Sequence, residues 1–304
     1  MTDTLTIALA QLNPTVGNID GNISLIRDAR AEGAAVGADL IITSELVVCG
    51  YPPEDLVLRP IVQETVERQI LALASETADG GPALLVGTPW VEEGKLYNAA
   101  LLLDDGEIVA TRFKHDLPNY GVFDEKRVFA PGPLPGPVNF RGVRLGVMVC
   151  EDMWTADLAE CLEESGAEIL AVLNGSPYEQ DKWDTRLNLA VARATECRMP
   201  LIYVNQVGGQ DELVFDGASF VLGADASLRA QSPAWESSLQ ITEWWRDGDS
   251  WTCAETDRHP PPDGDPAIYS AMVLGLRDYV RKSGFPGVLI GMSGGIDSAL
   301  TAAV

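Results

Sequence analysis

Apolar and polar positions along the 304-residue chain fall into short runs that predict strands alternating with helices. Leu5 to Leu12 predicts a strand ended by Asn13-Pro14, and Asp20 to Val36 a helix opened by Asp20 or Asn22. Asp39 to Thr43 predicts a buried strand ending at Ser44-Glu45, and Pro52-Pro53 forces a loop. Arg59 to Ala78 then predicts a helix and Ala83 to Val91 a strand. Leu96 to Leu103 and Glu107 to Lys114 flank Asp104-Asp105-Gly106, a hairpin signal. A long irregular segment, Asp116 to Pro137, is dense in Pro, Gly and aromatic residues, as functional loops are.

The second half repeats the alternation. Leu145 to Cys150, Glu168 to Leu173 and Leu201 to Gln206 predict strands, with helices at Trp154 to Ser165 and Trp183 to Arg198 between them. Leu213 to Phe215 with Ala218 to Leu222 predicts another hairpin. The pattern is α/β: a mixed sheet covered by helices, or two such sheets in a sandwich. Asp247 to Pro266, with its His259 to Pro266 run, is expected to be a linker. Beyond it come a helix at Ala267 to Lys282, a strand at Gly287 to Met292, a glycine loop at Ser293 to Asp297 and a helix starting at Ser298. The expected division is 1–246, a linker at 247–266, and 267–304 as the start of a second domain. One strand and parts of two helices cannot enclose a core, so the chain is expected to stop inside that domain.

Composition narrows the classes. With 46% hydrophobic residues and a mean hydropathy of +0.04 the chain can bury a core. Its net charge of −24 argues against nucleic acid and anionic membrane, which need clustered Lys and Arg. No apolar run is long enough to span a bilayer, and the N-terminus lacks a basic region before an apolar one. Five cysteines without CxxC spacing suit free thiols in a cytoplasmic protein.

Candidate chemistry centres on Cys150. A thiol where a buried strand turns into a helix is held rigidly, as a nucleophile must be; an inert buried cysteine occupies the same kind of place. Attack on an amide or nitrile carbon needs a base, an oxyanion partner and a rigid mount. Of two histidines, His259 lies in the proline-rich stretch, which leaves His115 as the Cys–His candidate. A carboxylate is the other option. Glu45, Lys114 and Cys150 stand at the exits of three expected strands, and in one sheet matching exits converge. Glu45 as a cap and Lys114 as a solvated strand end are the plain alternatives.

Ser44-Glu45-Leu46, Phe113-Lys114-His115-Asp116-Leu117-Pro118 and Val149-Cys150-Glu151-Asp152 resemble the Glu–Lys–Cys triad of the nitrilase, or carbon–nitrogen hydrolase, superfamily over roughly residues 5 to 240. The resemblance implies an αββα sandwich. The phrase Lys114 to Glu125 is similar to one branch, the glutaminase domain of glutamine-dependent NAD synthetases. That likeness implies that Glu125 positions Lys114 and that Tyr51 and Tyr120 line a glutamine pocket. It implies that Ser176 and Lys182, in Asn174 to Lys182, hold the α-amino and α-carboxylate ends. A turn at Ser176-Pro177 and a solvated helix start at Lys182 are the plain readings. Lys114 facing the thiol would turn its neighbour His115 away.

Ser293, Gly294, Gly295, Ile296, Asp297 and Ser298 follow an expected strand and open a helix, offering backbone amides to phosphate oxygens. There is no Gly-Lys-Ser/Thr, so this is not the Walker pattern. The run resembles the pyrophosphate loop of ATP pyrophosphatases, which implies the beginning of a Rossmann-like domain. Together the likenesses imply glutamine hydrolysis on Cys150 and use of the ammonia to amidate nicotinic acid adenine dinucleotide. ATP and Mg²⁺ would serve the complete enzyme and no cofactor the glutamine step, in a homo-oligomer. A stand-alone amidase and a catalytically silent assembly domain are the alternatives.

Overall fold

Residues 3–304 are described by a computed structural model, and the alternation within its strands sets the layers. In β1 (Thr4–Gln11), Ile7 and Leu9 point one way and Ala8 and Ala10 the other, and all four are buried. A strand buried on both faces must be covered twice.

After β1 come α1 (Ile19–Ala35), β2 (Leu40–Ile42), α2 (Pro60–Glu76), β3 (Ala83–Glu92), β4 (Lys95–Asp104) and β5 (Glu107–Phe113). Then follow α3 (Glu125–Val128), β6 (Val138–Phe140), β7 (Val143–Val149), α4 (Ala156–Glu164), β8 (Ile169–Asn174), α5 (Lys182–Cys197) and β9 (Leu201–Asn205). The chain continues through β10 (Val207–Gln210), β11 (Leu213–Asp216), β12 (Phe220–Leu222), β13 (Leu228–Gln231), β14 (Ser238–Asp247) and β15 (Ser250–Cys253). It closes with α6 (Gly264–Lys282) and α7 (Ile296–Ala303).

One sheet has the order β15-β14-β1-β2-β3-β4-β5, the other β13-β12-β9-β8-β7-β6. Ile7 and Leu9 meet Val147, Val149 and Val204 in a core between the sheets. Ala8 and Ala10 pack with Ile23, Ile26, Val66 and Ile70 under α1 and α2. Across the sandwich, Met148, Leu170 and Val172 pack with Leu158, Ala190 and Ala194 under α4 and α5. The result is the expected αββα arrangement. β1, β2 and β3 are parallel, and two antiparallel steps bring β5 back to the same direction. The exits of β2 and β5 therefore share one edge of the sheet.

Four expectations change. Leu213 to Leu222 is not a hairpin: β11 pairs with β10, while β12 joins β9 and β13 in the second sheet. The reason is long-range, because Ser219 is tied to Gln11 on β1 by two hydrogen bonds. The linker stretch contributes β15, whose Trp251 and Cys253 are buried against β14. Helix α1 is capped by Asn18, whose side chain accepts from Gly21 N, not by Asp20 or Asn22. Gly287 to Met292 pairs with no described strand, and Val288, Leu289 and Ile290 are exposed. An extended segment needs a neighbour to satisfy its backbone groups.

Helix α6 lies on β10. Asp278 is buried and accepts from Asn13 Nδ2 at 2.7 Å and from Gly209 N at 2.9 Å. A side chain at Gly209 would meet the Gly275 backbone at 2.8 Å, so glycine is required there. No helix among the described residues is long and apolar enough to cross a membrane.

Candidate active site

Glu45 follows β2 in a segment that crosses β3 at close range. A Cβ on Gly87 would stand 2.3 Å from Ser44 O, so that crossing depends on glycine. Lys114 follows β5 directly, and its amide is fixed by Asn98 O on β4 at 2.8 Å. Cys150 comes from the opposite sheet, as the first residue of a 3₁₀ turn after β7, with φ of +48°. The exits thus converge across the sandwich and not within one sheet. The left-handed backbone at a non-glycine residue is strained, and it turns the chain sharply out of β7.

The three groups form one buried set. Lys114 Nζ donates to Glu45 Oε1 at 2.7 Å and to Glu125 Oε1 at 2.9 Å, with Lys114 and Glu45 fully buried. Tyr51 OH donates to the same Glu125 oxygen at 2.9 Å. Asn98 Nδ2 donates to Glu45 Oε1 at 2.7 Å and reaches Glu125 Oε2 at 3.5 Å. Gly175 N donates to Glu45 Oε2 at 2.9 Å. Oε1 of Glu45 therefore has two donors and Oε2 only one, which leaves Oε2 with room to take a proton.

Charge follows the geometry. Burial works to lower the Lys114 pKa, but Glu125 and Glu45 together outweigh it and hold the ammonium well above its ordinary value. Burial raises Glu125, and Lys114 opposes it. Burial and then Glu45 push the Cys150 thiol well up, with Lys114 pulling down. At neutral pH the resting pair is a thiol beside a charged ammonium.

Asp152 anchors the turn that carries Cys150. Its Oδ1 accepts from His115 N at 3.0 Å and Asp116 N at 2.9 Å, and its Oδ2 from Val149 N at 2.9 Å. Asp152→Asn keeps one acceptor and strands the Val149 amide, so it should cost about 1–3 kcal/mol in urea unfolding. Burial raises the folded-state pKa of this carboxyl from 3.8 to about 6. A raised folded pKa gives stability that is full below the unfolded value and lost as pH rises through the folded one. The penalty of Asp152→Asn should therefore shrink as the pH rises through about 6.

The remaining candidates are spread over several places. An open cavity is bordered by His115, Tyr120, Lys126, Glu151 and Thr155. Tyr120 OH donates to Glu151 at 2.9 and 3.0 Å. Lys182 Nζ lies 5.2 Å from the Trp154 ring centroid and 3.5 Å from Glu179. Ser176 sits one residue from the Gly175 amide that holds Glu45, and its hydroxyl accepts from Arg186 Nε at 3.0 Å. His115 Nδ1 is bonded to Gly132 O at 2.7 Å, away from the acids that hold its neighbour Lys114. His259 donates its amide to Gln231 O. Ser293 to Asp297 are exposed and Ser298 is half-buried; the Ser293 and Ser298 hydroxyls lie 3.0 Å apart, and Gly295 caps α7.

Sequence reasoning missed Asn98, Glu151 and Arg186. Asn98 is a polar residue in the inward phase of β4 with Ala100 and Leu102, which was a usable signal. Arg186 falls in the buried stripe of α5 with Ala190 and Ala194, at spacings of four. Glu151 carried no signal beyond its place next to Cys150.

Comparison with known proteins adds the following. The family model described as carbon-nitrogen hydrolase matches residues 6–247, and the model described as NAD synthase matches 268–304. Glutamine-dependent NAD(+) synthetase from Rhodobacter capsulatus is 47% identical over 100% of this chain and 55% of its own length. The protein of the same name from Acinetobacter baylyi is 40% identical over 98% and 54%. The chain thus spans about half the length of the curated relatives it matches. The solved glutamine-dependent NAD+ synthetase from Acinetobacter baumannii, in complex with ADP, superposes with a TM-score of 0.90 at 38% identity. It covers 99% of this chain and 56% of that one. An amidase from Nesterenkonia superposes at 0.69 with 28% identity, covering 78% and 92%. That structure shows acrylamide added at the active site cysteine. A family model spanning most of the chain, over the fold described above, places this protein in the carbon–nitrogen hydrolase family.

Proposed function

We propose that this chain hydrolyses the side-chain amide of glutamine through a thioester on Cys150, as the amide-hydrolysing part of a glutamine-dependent NAD synthetase. The observation that carries this is Lys114, held between the buried carboxylates of Glu45 and Glu125 beside a buried thiol on a left-handed turn. As Sγ attacks the amide carbon, Glu45 Oε2 takes the thiol proton. Lys114 uses two of its three N–H groups on the carboxylates, which leaves one for the developing oxyanion. Glu45 then returns the proton to the departing nitrogen, and ammonia leaves the thioester. Water, deprotonated by the same carboxylate, releases glutamate and restores the thiol. Glu125, Asn98 and Tyr51 hold the lysine and the base in register.

In this reading the α-carboxylate of glutamine meets Ser176 and Lys182, and its α-ammonium meets the carboxylate of Glu151, with Tyr120 beside it. Comparison of glutamine with simple primary amides tests the assignment: glutamine should be preferred by about a hundredfold or more in kcat/KM, since several charged contacts are lost without the α groups. Equal rates would favour the second reading, a general amidase, which the likeness to the Nesterenkonia enzyme supports.

The same proposal assigns 1–246 to the hydrolase, with β15 added to it from the 247–266 linker, and 267–304 to a synthetase domain. Ser293, Gly294, Gly295, Ile296, Asp297 and Ser298 would contact ATP, since two hydroxyls and the amides opening α7 suit phosphate oxygens. ATP would activate a carboxylate of nicotinic acid adenine dinucleotide for attack by the released ammonia. Among the described residues no set of three His, Cys, Asp or Glu side chains is placed to hold Mg²⁺. A homo-oligomer in the cytoplasm belongs to the same reading.

A further inference from the structure

Arg186 is almost fully buried on α5, yet no part of the mechanism above uses it. Its guanidinium is saturated. Nη1 donates to Asp216 Oδ1 at 2.7 Å and Oδ2 at 2.9 Å. Nη2 donates to Ser176 O at 2.8 Å and Pro177 O at 2.7 Å. Nε donates to Ser176 Oγ at 3.0 Å. A guanidinium has five N–H donors and no acceptor, and these contacts occupy all five. Asp216 neutralises the charge. Arg186 therefore has nothing left with which to bind a substrate, and it can act only through what it holds.

What it holds is the turn at the site. Gly175 N is bonded to Glu45 Oε2, Ser176 N to Asn205 Oδ1, and Asn205 Nδ2 to Ser176 O. Cys150 lies within electrostatic reach of Arg186 and of Tyr203, which stands against the Ser176 hydroxyl. A hydroxyl can both accept and donate. Because an arginine N–H only donates, Ser176 Oγ must be the acceptor toward Arg186. Its own proton is then free for an acceptor elsewhere, and a carboxylate is a stronger acceptor than the Tyr203 phenol.

We propose that Arg186, clamped by Asp216, is a positioning residue that sets the Ser176 hydroxyl as a donor to the substrate's carboxylate. The inference rests on the glutamine reading and names the part of the site that selects the amino-acid end of the substrate. It separates selection from chemistry: the Arg186–Asp216 pair should govern how tightly glutamine is held, and the acids around Lys114 how fast the amide is cleaved.

Arg186→Lys and Asp216→Asn test it in the full chain. Each should raise the glutamine KM by about tenfold or more, the scale of one charge-assisted hydrogen bond. Each should leave the rate of Cys150 alkylation by chloroacetamide, a primary amide without α groups, within about twofold of the parent. In a Ser176→Ala background the Arg186→Lys effect on KM should fall below about twofold, because the two residues act in series. Equal losses in glutamine turnover and alkylation would mean a purely structural role and overturn the proposal. So would a full Arg186→Lys effect without the Ser176 hydroxyl, or an unchanged KM. If Arg186→Lys does not fold, Asp216→Asn, which keeps the shape of the carboxylate, decides by the same measurements. A parent chain that leaves glutamine intact overturns the glutamine reading itself; an active parent with unaltered KM in the variants overturns this inference alone.

Discussion

Cys150→Ala should abolish glutamine hydrolysis, with a loss on the order of 10⁴-fold or more, the scale seen when a covalent nucleophile is removed. The variant should fold, because the change removes one sulfur from a residue that is 6% exposed and leaves the Asp152 anchor of the turn in place. Two measurements read the outcome: ammonia release from glutamine, and mass-spectrometric detection of a covalent adduct with a glutamine-derived electrophile. The parent should carry the adduct on Cys150, although Cys49, Cys161, Cys197 and Cys253 are also free thiols. Burial raises Cys49 and Cys253 as well, but neither has a lysine ammonium beside it as Cys150 has Lys114, and they should stay unlabelled. Hydrolysis surviving in Cys150→Ala would remove the nucleophile assignment and with it the thioester.

The second large effect separates the base from the thiol. Glu45→Gln keeps the size of the side chain and an oxygen for Lys114, but removes the proton acceptor. Turnover should fall by about 10²–10⁴-fold, the usual contribution of a general base. The thiol should respond in the opposite sense. Glu45 is a negative charge that raises the Cys150 pKa, and Lys114 a positive one that lowers it. Without the carboxylate, Lys114 acts with less opposition, so the thiol pKa should fall. Alkylation of Cys150 by chloroacetamide, followed across pH, should therefore turn on at lower pH in Glu45→Gln than in the parent, while glutamine turnover collapses. A thiol whose alkylation profile moves up, or stays in place, would mean that Glu45 does not face Cys150.

Together the two variants define a division of labour around a buried cation. Lys114 is charged because two carboxylates outweigh the burial that opposes its charge. Breaking such a set by removing one partner is costly, since it leaves a charge without compensation in a dry place. Asn98 and Tyr51 donate to the same carboxylate oxygens that Lys114 holds, and Gly175 N donates to the Glu45 oxygen that Lys114 leaves open. The buried set around Lys114 thus draws on β4 and on the segments that follow β2, β5 and β8.

Much of the fold is legible in the sequence. Regular alternation marked the strands, and the breaks at Asn13-Pro14 and Asp104-Asp105-Gly106 marked where they end. Glu45, Lys114 and Cys150 stood out as reactive side chains at the ends of expected strands, and the resemblance to the nitrilase superfamily singled them out from the plain alternatives. Local pattern failed where long-range contacts decide the outcome. Leu213 to Leu222 reads as a hairpin by spacing, but Ser219 is tied to Gln11 more than two hundred positions earlier, and the two strands go to different sheets. Trp251 lies in a stretch whose composition reads as linker, yet it is buried because β14 offers it an edge.

The sequence by itself determined most of the alternation of elements and the inward and outward faces of the longer strands, and it offered the candidate reacting groups, because these depend on side-chain chemistry and on periods of two and 3.6 residues. Only the tertiary structure decided that the base and the cation leave one sheet while the thiol leaves the other. It also decided that Glu45 has one oxygen open and that Arg186 has no donor left for a substrate. Those are properties of hydrogen-bond partners brought together from distant parts of the chain, and a linear pattern carries no record of which partner each donor has found.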